Sequence, residues 1–391
     1  MEGADPADRG LRPLARLFLK LGVIAFGGPA AHIAMLQDEV VERRRWIRRD
    51  HFLDLVGATN LIPGPNSTEM TMHVGYERAG WPGLLVAGSS FILPAVLITG
   101  GFAWLYVRFG SLPAVEPFLY GIKPAVLAVI LGALWKLGRE AVKGWRLGVV
   151  GVVVAVAVLV GLGEIAALLA GAALGGIWLR FAGPDTSRPA VGLIGLSAAG
   201  RETAIAVGAA AGAAAGVSLW KMGFFFLKIG AVLYGSGYVL VAFLEGGLVN
   251  DYGWLTEAQL LDAIAIGQFT PGPVLSTATF VGYVIAGVPG AVVATAAIFL
   301  PSFLFVLALN PAIPRLRESR WTAAFLDSVN VAALALMAAV TIELGRTTLT
   351  SWPAWAIAIV GGIAALALRV NAAWLVLSGA VAGWLLAPWT A

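Results

Sequence analysis

"NLIPGPNSTEM" (residues 60–70) and "QFTPGPVLSTATF" (268–280) decide how this chain is read. Each sets Pro-Gly-Pro, followed by hydroxyl side chains, inside a mostly apolar stretch. Proline within a helix removes a backbone donor and clashes with the preceding turn. Both stretches therefore predict a broken helix, and the surrounding sequence predicts where the break lies.

Of the 391 residues, 59% are hydrophobic and only 12% charged, with a mean hydropathy of +0.86. Soluble domains carry about 25% charged residues, so this chain has too little polar surface to face water. Runs such as 148–163, 165–179 and 355–368 reach, with their flanks, the ~20 residues that span a bilayer. The expected class is an all-α polytopic membrane protein whose partner is the lipid bilayer. The N-terminus, "MEGADPADRGLRPLARLFLK", lacks the pattern of a cleavable signal peptide. Zero cysteines exclude disulfides, iron–sulfur clusters and thiolate metal sites. No metal or cofactor is expected. The net charge of +4 is spread over loops, so nucleic acid is not an expected partner.

The chain repeats itself. "FLKLGVIAFGG" (18–28) matches "FLKIGAVLYGS" (226–236), an offset of 208 (226 less 18). The same offset aligns Trp46 with Trp254, Asp54 with Asp262, and Pro63-Gly64-Pro65 with Pro271-Gly272-Pro273. After a one-residue shift, "GYERAGWPG" (75–83) meets "GYVIAGVPG" (282–290). This divides the chain into a first membrane repeat (1–185), an Ala/Gly-rich linker (186–216) that is in part a candidate membrane helix, and a second repeat (217–391). Lys and Arg prefer cytoplasmic loops, and they oppose each other between the copies. Residues 40–52 are heavily basic where 248–261 have no Lys or Arg; 107–117 have one arginine where 310–321 have three; the bias swaps back at 136–146 against 343–352. Two inverted-topology repeats are expected, near ten crossings in all, with each Pro-Gly-Pro segment entering and leaving the same leaflet as a re-entrant hairpin.

Non-helical backbone at membrane depth survives only where protein buries it or a wet cavity is lined by it, and inverted-repeat transporters aim half-helix N-termini at an anion there. Asn66, Ser67 and Thr68 in one copy, and Ser276 and Thr277 in the other, stand where helix-capping residues stand. The amides and the dipole at such ends favour negative charge. The candidate substrate-binding set is Lys20, Gly27, Gly28, Asn60, Pro63, Gly64, Pro65, Asn66, Ser67 and Thr68 in the first repeat. In the second it is Lys228, Gly235, Ser236, Gln268, Pro271, Gly272, Pro273, Ser276 and Thr277. Lys20 and Lys228 are equivalent; they serve either the anion or as side chains snorkelling to an interface. Glu69 and His73, four apart and so on one helical face, are the proton-coupling candidates, since histidine titrates near neutrality. The second copy has Thr277 opposite Glu69 and no histidine. The alternative is that Glu69 pairs with a nearby cation and His73 faces headgroups. "NPA" (310–312) occurs once and lacks the paired motif of a water channel.

With "FGGP" after an "FLKLG" start, "PGPNST" and "TPGPV" in the two copies, and a two-copy length, the chain resembles the chromate ion transporter family. The resemblance implies a bacterial inner-membrane protein that exports chromate using the proton motive force and confers chromate resistance, with sulfate as a competing analogue. The second copy departs from the first, with "YGSG" where the first has "FGGP". Chromate is a tetrahedral dianion, and sulfate or another oxyanion fits the same residues. No P-loop is present, so ATP is not the energy source. With three histidines, no cysteine and no H-E-x-x-H, an intramembrane enzyme is not expected; a passive anion channel is the remaining alternative. The residues do not settle the oligomeric state, a homodimer being one option.

Overall fold

The apolar runs fold into helices throughout. The computed structural model describes residues 10–26, 28–181, 217–234, 237–309, 319–368 and 370–387, with no strand among them. Gly27, Gly235, Ser236, the "NPA" triplet and the 186–216 linker lie outside the described residues. In the first half, α1 is Leu11–Ile24, α2 Gly28–Gln37, α3 Arg49–Thr59, α4 Asn66–Phe109, α5 Glu116–Ala141, α6 Trp145–Leu159 and α7 Glu164–Phe181. In the second, α8 is Leu219–Val232, α9 Leu240–Leu244, α10 Glu257–Phe269, α11 Thr277–Leu309, α12 Arg320–Thr348, α13 Trp352–Leu366 and α14 Ala372–Leu386.

The two halves repeat down to single dihedral angles. A π-helical turn closes the second element of each, at Asp38–Arg43 and Glu245–Asp251. Arg45 and its counterpart Gly253 then take left-handed φ values of 51° and 58°. Arg45 is the one described residue other than glycine with positive φ. That conformation is costly for a side chain, and its retention shows how firmly the unit imposes the turn.

Both long helices are bent back on themselves. In α4, Ala79 and Gly80 leave helical geometry, Gly80 at φ 60° and ψ −150°; in α11, Ala286 and Gly287 do the same, Gly287 at φ 62° and ψ −151°. A Cβ added to Gly75 would lie 2.3 Å from the Gly83 carbonyl oxygen, whereas eight residues along a straight helix are about 12 Å apart. Residues 66–78 and 82–109 are thus two limbs of a helical hairpin. A second hairpin precedes it. His51, at the start of α3, places Nε2 3.5 Å from Glu77 Oε2, and the Arg78 guanidinium lies 4.7 Å from the Trp46 ring centroid. So α3 and the first limb of α4 run antiparallel, with residues 60–65 at the tip.

The halves interlock. α5 packs on α13 and α14, and reciprocally α12 packs on α6 and α7. Lipid offers no hydrophobic drive for helices to associate, so small residues that let backbones approach carry the contact. Gly121 of α5 meets Gly379 and Gly383 of α14, and Gly175 of α7 meets Ser328 of α12. Among the described residues, five helices are long and apolar enough to cross a membrane, while α6, α13 and α14 are apolar but only 15 residues each. Helices of spanning length among the described residues thus number fewer than the near-ten crossings expected. Leu97, Trp81, Val360 and Trp220 stay exposed, as lipid-facing side chains do.

Candidate functional site

The two Pro-Gly-Pro tips are built from backbone that only glycine takes readily. Gly64 has φ 145° and Gly272 φ 95°. Each tip hydrogen-bonds to the broken first helix of the other half. The Gly64 N–H donates to the Leu233 carbonyl at 2.7 Å, where α8 ends, and the Gly272 N–H donates to the Ala25 carbonyl at 2.8 Å, where α1 ends. Ala25 and Leu233 are equivalent, as are Gly64 and Gly272, so the exchange is reciprocal. Same-patch contact of this sort is what a twofold relation produces. Close packing reinforces it. A Cβ on Gly22 would lie 2.6 Å from the Phe91 carbonyl oxygen, and one on its counterpart Gly230 would lie 2.2 Å from that of Ile298.

Both tips lead directly into helix starts that no side chain caps. The residue before α4 is Pro65, and the one before the short 3₁₀ turn Val274–Ser276 that leads into α11 is Pro273. The capping expected of Asn66, Ser67, Thr68, Ser276 and Thr277 is not what those side chains do. Asn66 Nδ2 donates instead to Asn60 Oδ1 at 2.7 Å, tying the two sides of the first tip. Thr277 Oγ1 donates back to the Val274 carbonyl at 2.8 Å. Ser276 accepts from Thr99 Oγ1 of the other half at 3.2 Å.

Ser67 meets a residue that sequence reasoning did not place here. His32 Nδ1 lies 3.2 Å from Ser67 Oγ, and its Nε2 lies 3.0 Å from the Ala25 carbonyl oxygen. A neutral ring donating from Nε2 to Ala25 accepts at Nδ1 from the Ser67 hydroxyl. Phe91 packs edge-on against the ring, centroids 5.7 Å apart. One buried histidine thus links the end of α1, the start of α4 and, through the shared Ala25 carbonyl, the Gly272 tip. At the matching positions the second half has Leu240 and Leu275, both buried. That contrast between the copies was the available signal.

Polar groups without partners gather at the tips. Glu69 is fully buried next to Ser302, their oxygens adjoining without well-formed hydrogen-bond geometry, and Thr68 Oγ1 has no partner. Ser302 Oγ and Glu69 Oε1 both crowd the space beside Gly64, where an added Cβ would meet them at 2.3 Å and 2.1 Å. Near the second tip, Gln268 Nε2 is buried without a partner. Unsatisfied buried polar atoms are few in native proteins and call for a ligand, water or ion. His73 is fully buried on the same helical limb as Glu69.

The lysines stand apart from this cluster. Lys20 Nζ donates to Glu39 Oε1 at 2.7 Å with its side chain half exposed, and Arg44 Nε approaches Glu39 Oε2 at 3.3 Å. Lys228 is exposed. The structure therefore groups Gly64 with Glu69 and Ser302, ties Ser67 to Gly272 through His32 and the Ala25 carbonyl, and leaves Lys20 half exposed and Lys228 exposed.

Comparison with known proteins agrees in extent with this two-unit architecture. The model of the chromate transporter family matches residues 13–177 and again 220–384. The chain is 34% identical over 358 residues to the chromate transport protein of Cupriavidus metallidurans, covering 90% of this chain and 86% of that one. It is 32% identical to a probable chromate transport protein of Synechococcus elongatus, covering 90% of this chain and 88% of that one. It is 31% identical to the chromate transport protein of Pseudomonas aeruginosa, covering 98% and 94%. No solved structure matches.

Proposed function

Because the chain belongs to the chromate transporter family, a family of multi-pass membrane transporters rather than enzymes, we propose that it exports chromate across the bacterial cytoplasmic membrane. The energy source is the proton motive force, and the physiological result is chromate resistance. The observation that carries this reading is the reciprocal docking of the tips, Gly64 onto Leu233 and Gly272 onto Ala25. It holds two uncapped helix starts within one shared structure, and such starts favour anions through their amides and dipoles. The opposed loop charges support halves inserted upside down relative to each other, so that the tips are re-entrant and approach from opposite leaflets. A doubly negative tetrahedral guest then sits between them, contacted by backbone amides and by the hydroxyls of Ser67, Thr68 and Ser276. Glu69 and His73 take part as the groups that couple proton entry to anion exit.

Purified protein in sealed vesicles tests this. Chromate is expected to accumulate against its gradient when a pH difference is imposed. Glu69→Gln and His73→Ala are expected to abolish that drive while leaving chromate binding measurable. Flux that only relaxes a chromate gradient would make the protein a channel, and uphill movement of sulfate without chromate would change the substrate. Unaltered pH dependence in both variants would remove them as the coupling pair.

A further inference from the structure

A second buried ionisable site lies away from the tips, where the halves interlock. Asp262 of α10 is 3% exposed. Tyr106 of α4 donates its hydroxyl to Asp262 Oδ2 at 2.9 Å, while Oδ1 has no partner. Lys123 lies on α5, which packs on α10, and makes no ion pair within 4.0 Å among the described residues. Both neighbours come from the first half, the aspartate from the second. The π-helical turn Glu245–Asp251 also packs on α10 and brings Glu245 and Asp251, whereas α11 and α14 bring no Asp, Glu, Lys, Arg or His. Tyr106 is the group bonded to the carboxylate, and the charges carried by the elements packed on α10 include Lys123 on α5 and Glu245 and Asp251 on that turn.

The arrangement occurs once. Asp54, the counterpart on α3, is exposed, and the residue matching Lys123 is Asn330. Purely structural use of a carboxylate would satisfy both oxygens or repeat in both copies. A half-satisfied buried carboxylate costs free energy, and ionisable groups buried inside a membrane protein are by default functional, with their partner to be named. The site also connects to the second tip. Thr99, bonded to Ser276, and Tyr106 lie seven residues apart on α4, about 10 Å along one helical face.

On the transporter reading above, we infer that Asp262 is a proton-binding site of the carrier, separate from Glu69 and His73, and that with Lys123 it sets the charge the second tip presents to the anion. In the binding step, Asp262 Oδ1 takes a proton from hydronium, leaving water, and the carboxylate becomes a neutral acid. Tyr106 keeps its own proton and holds Oδ2 throughout. The Lys123 charge is then uncancelled and attracts a dianion; loss of the proton restores the cancellation.

Vesicle uptake of chromate, measured from pH 5.5 to 8.5, tests this on the full chain. Asp262→Asn keeps the shape and is permanently neutral. It is expected to lower the KM about tenfold at high pH, the scale of one unit charge at protein dielectric, and to flatten the pH profile of KM. Lys123→Gln is expected to raise KM and flatten the same profile. Tyr106→Phe, which keeps the packing, is expected to displace the profile along the pH axis without flattening it. A merely structural aspartate would instead lower yield and maximal rate in Asp262→Asn with the KM profile unchanged, which overturns the inference. So would a KM that follows sodium at constant pH. Absence of chromate flux in the wild type would overturn the transporter reading itself, whereas coupled wild-type flux with an unaltered Asp262→Asn profile overturns only the role of Asp262.

Discussion

The amide of Gly64 and the carbonyl of Leu233, 169 positions apart in the chain (233 less 64), share a 2.7 Å hydrogen bond. The equivalent pair, Gly272 and Ala25, repeats it in the opposite sense. Each broken helix is thus completed by the other half of the molecule, which is why neither break leaves its terminal carbonyl unpaired.

Alanine at either glycine is expected to uncouple this exchange. A side chain at φ 145° or 95° is strained by about 1–3 kcal/mol, and at residue 64 it would also strike Glu69 and Ser302. Gly64→Ala should therefore reduce chromate flux by more than tenfold and exceed Gly272→Ala, whose Cβ meets nothing nearer than the Ala95 Cβ at 3.0 Å. Flux and thermal melting of the two variants in detergent check the order.

His32 and Ser67 can be replaced by the pair that the second half uses. The double variant His32→Leu, Ser67→Leu imports the types of Leu240 and Leu275, which are buried at equivalent positions, so folding is expected to survive. The two hydrogen bonds it removes are worth about 0.5–1.5 kcal/mol each. The expected result is chromate affinity down roughly tenfold with near-normal melting. Wild-type affinity would show that the histidine only fills space.

Lys20 and Glu39 make a pH prediction outside the membrane-spanning helices. Hydrogen bonding to Lys20, with further help from Arg44, holds the Glu39 carboxyl below its ordinary value of 4.5. A depressed carboxyl contributes stability that is fully present above 4.5 and lost as pH falls through the folded value. Half exposure of Lys20 limits the contribution to about 1 kcal/mol. Glu39→Gln and Lys20→Ala should cost this much at pH 7 and progressively less as pH falls below 4.5, read by melting. If Lys20 also meets the anion, Lys20→Ala alone raises the KM for chromate.

Much of the architecture was legible in the chain because a duplicated unit reveals itself through matched punctuation: Pro63-Gly64-Pro65 against Pro271-Gly272-Pro273, Trp46 against Trp254. The breaks were legible because proline and glycine disfavour helix whatever surrounds them. What the tips touch was not. Gly64 meets Leu233 through backbone atoms, and a backbone contact leaves no residue-type signature. His32 was missed because its partner Ser67 is 35 residues away across a turn, beyond any helical spacing. The apolar flanks of Lys20 leave it open between the anion and an interface, and Glu39, beyond the next break, is what holds its ammonium. The hydroxyl residues after each tip looked like caps, but the prolines Pro65 and Pro273 occupy the cap positions themselves.

Opposed insertion of the halves has its own test, and the absence of cysteine makes it direct. Arg43 and Asp251 are equivalent and exposed. Single cysteines at these positions are expected to react with a membrane-impermeant maleimide from opposite sides of intact cells. Labelling from the same side would mean parallel repeats.

Structure determination with bound chromate tests the central claim most directly. Density for the tetrahedral anion is expected between the two tips, within hydrogen-bonding reach of the α4 start at Asn66–Ser67 and of Ser276. An anion bound instead at the periphery beside Lys20 or Lys228, with the tips empty, would contradict it.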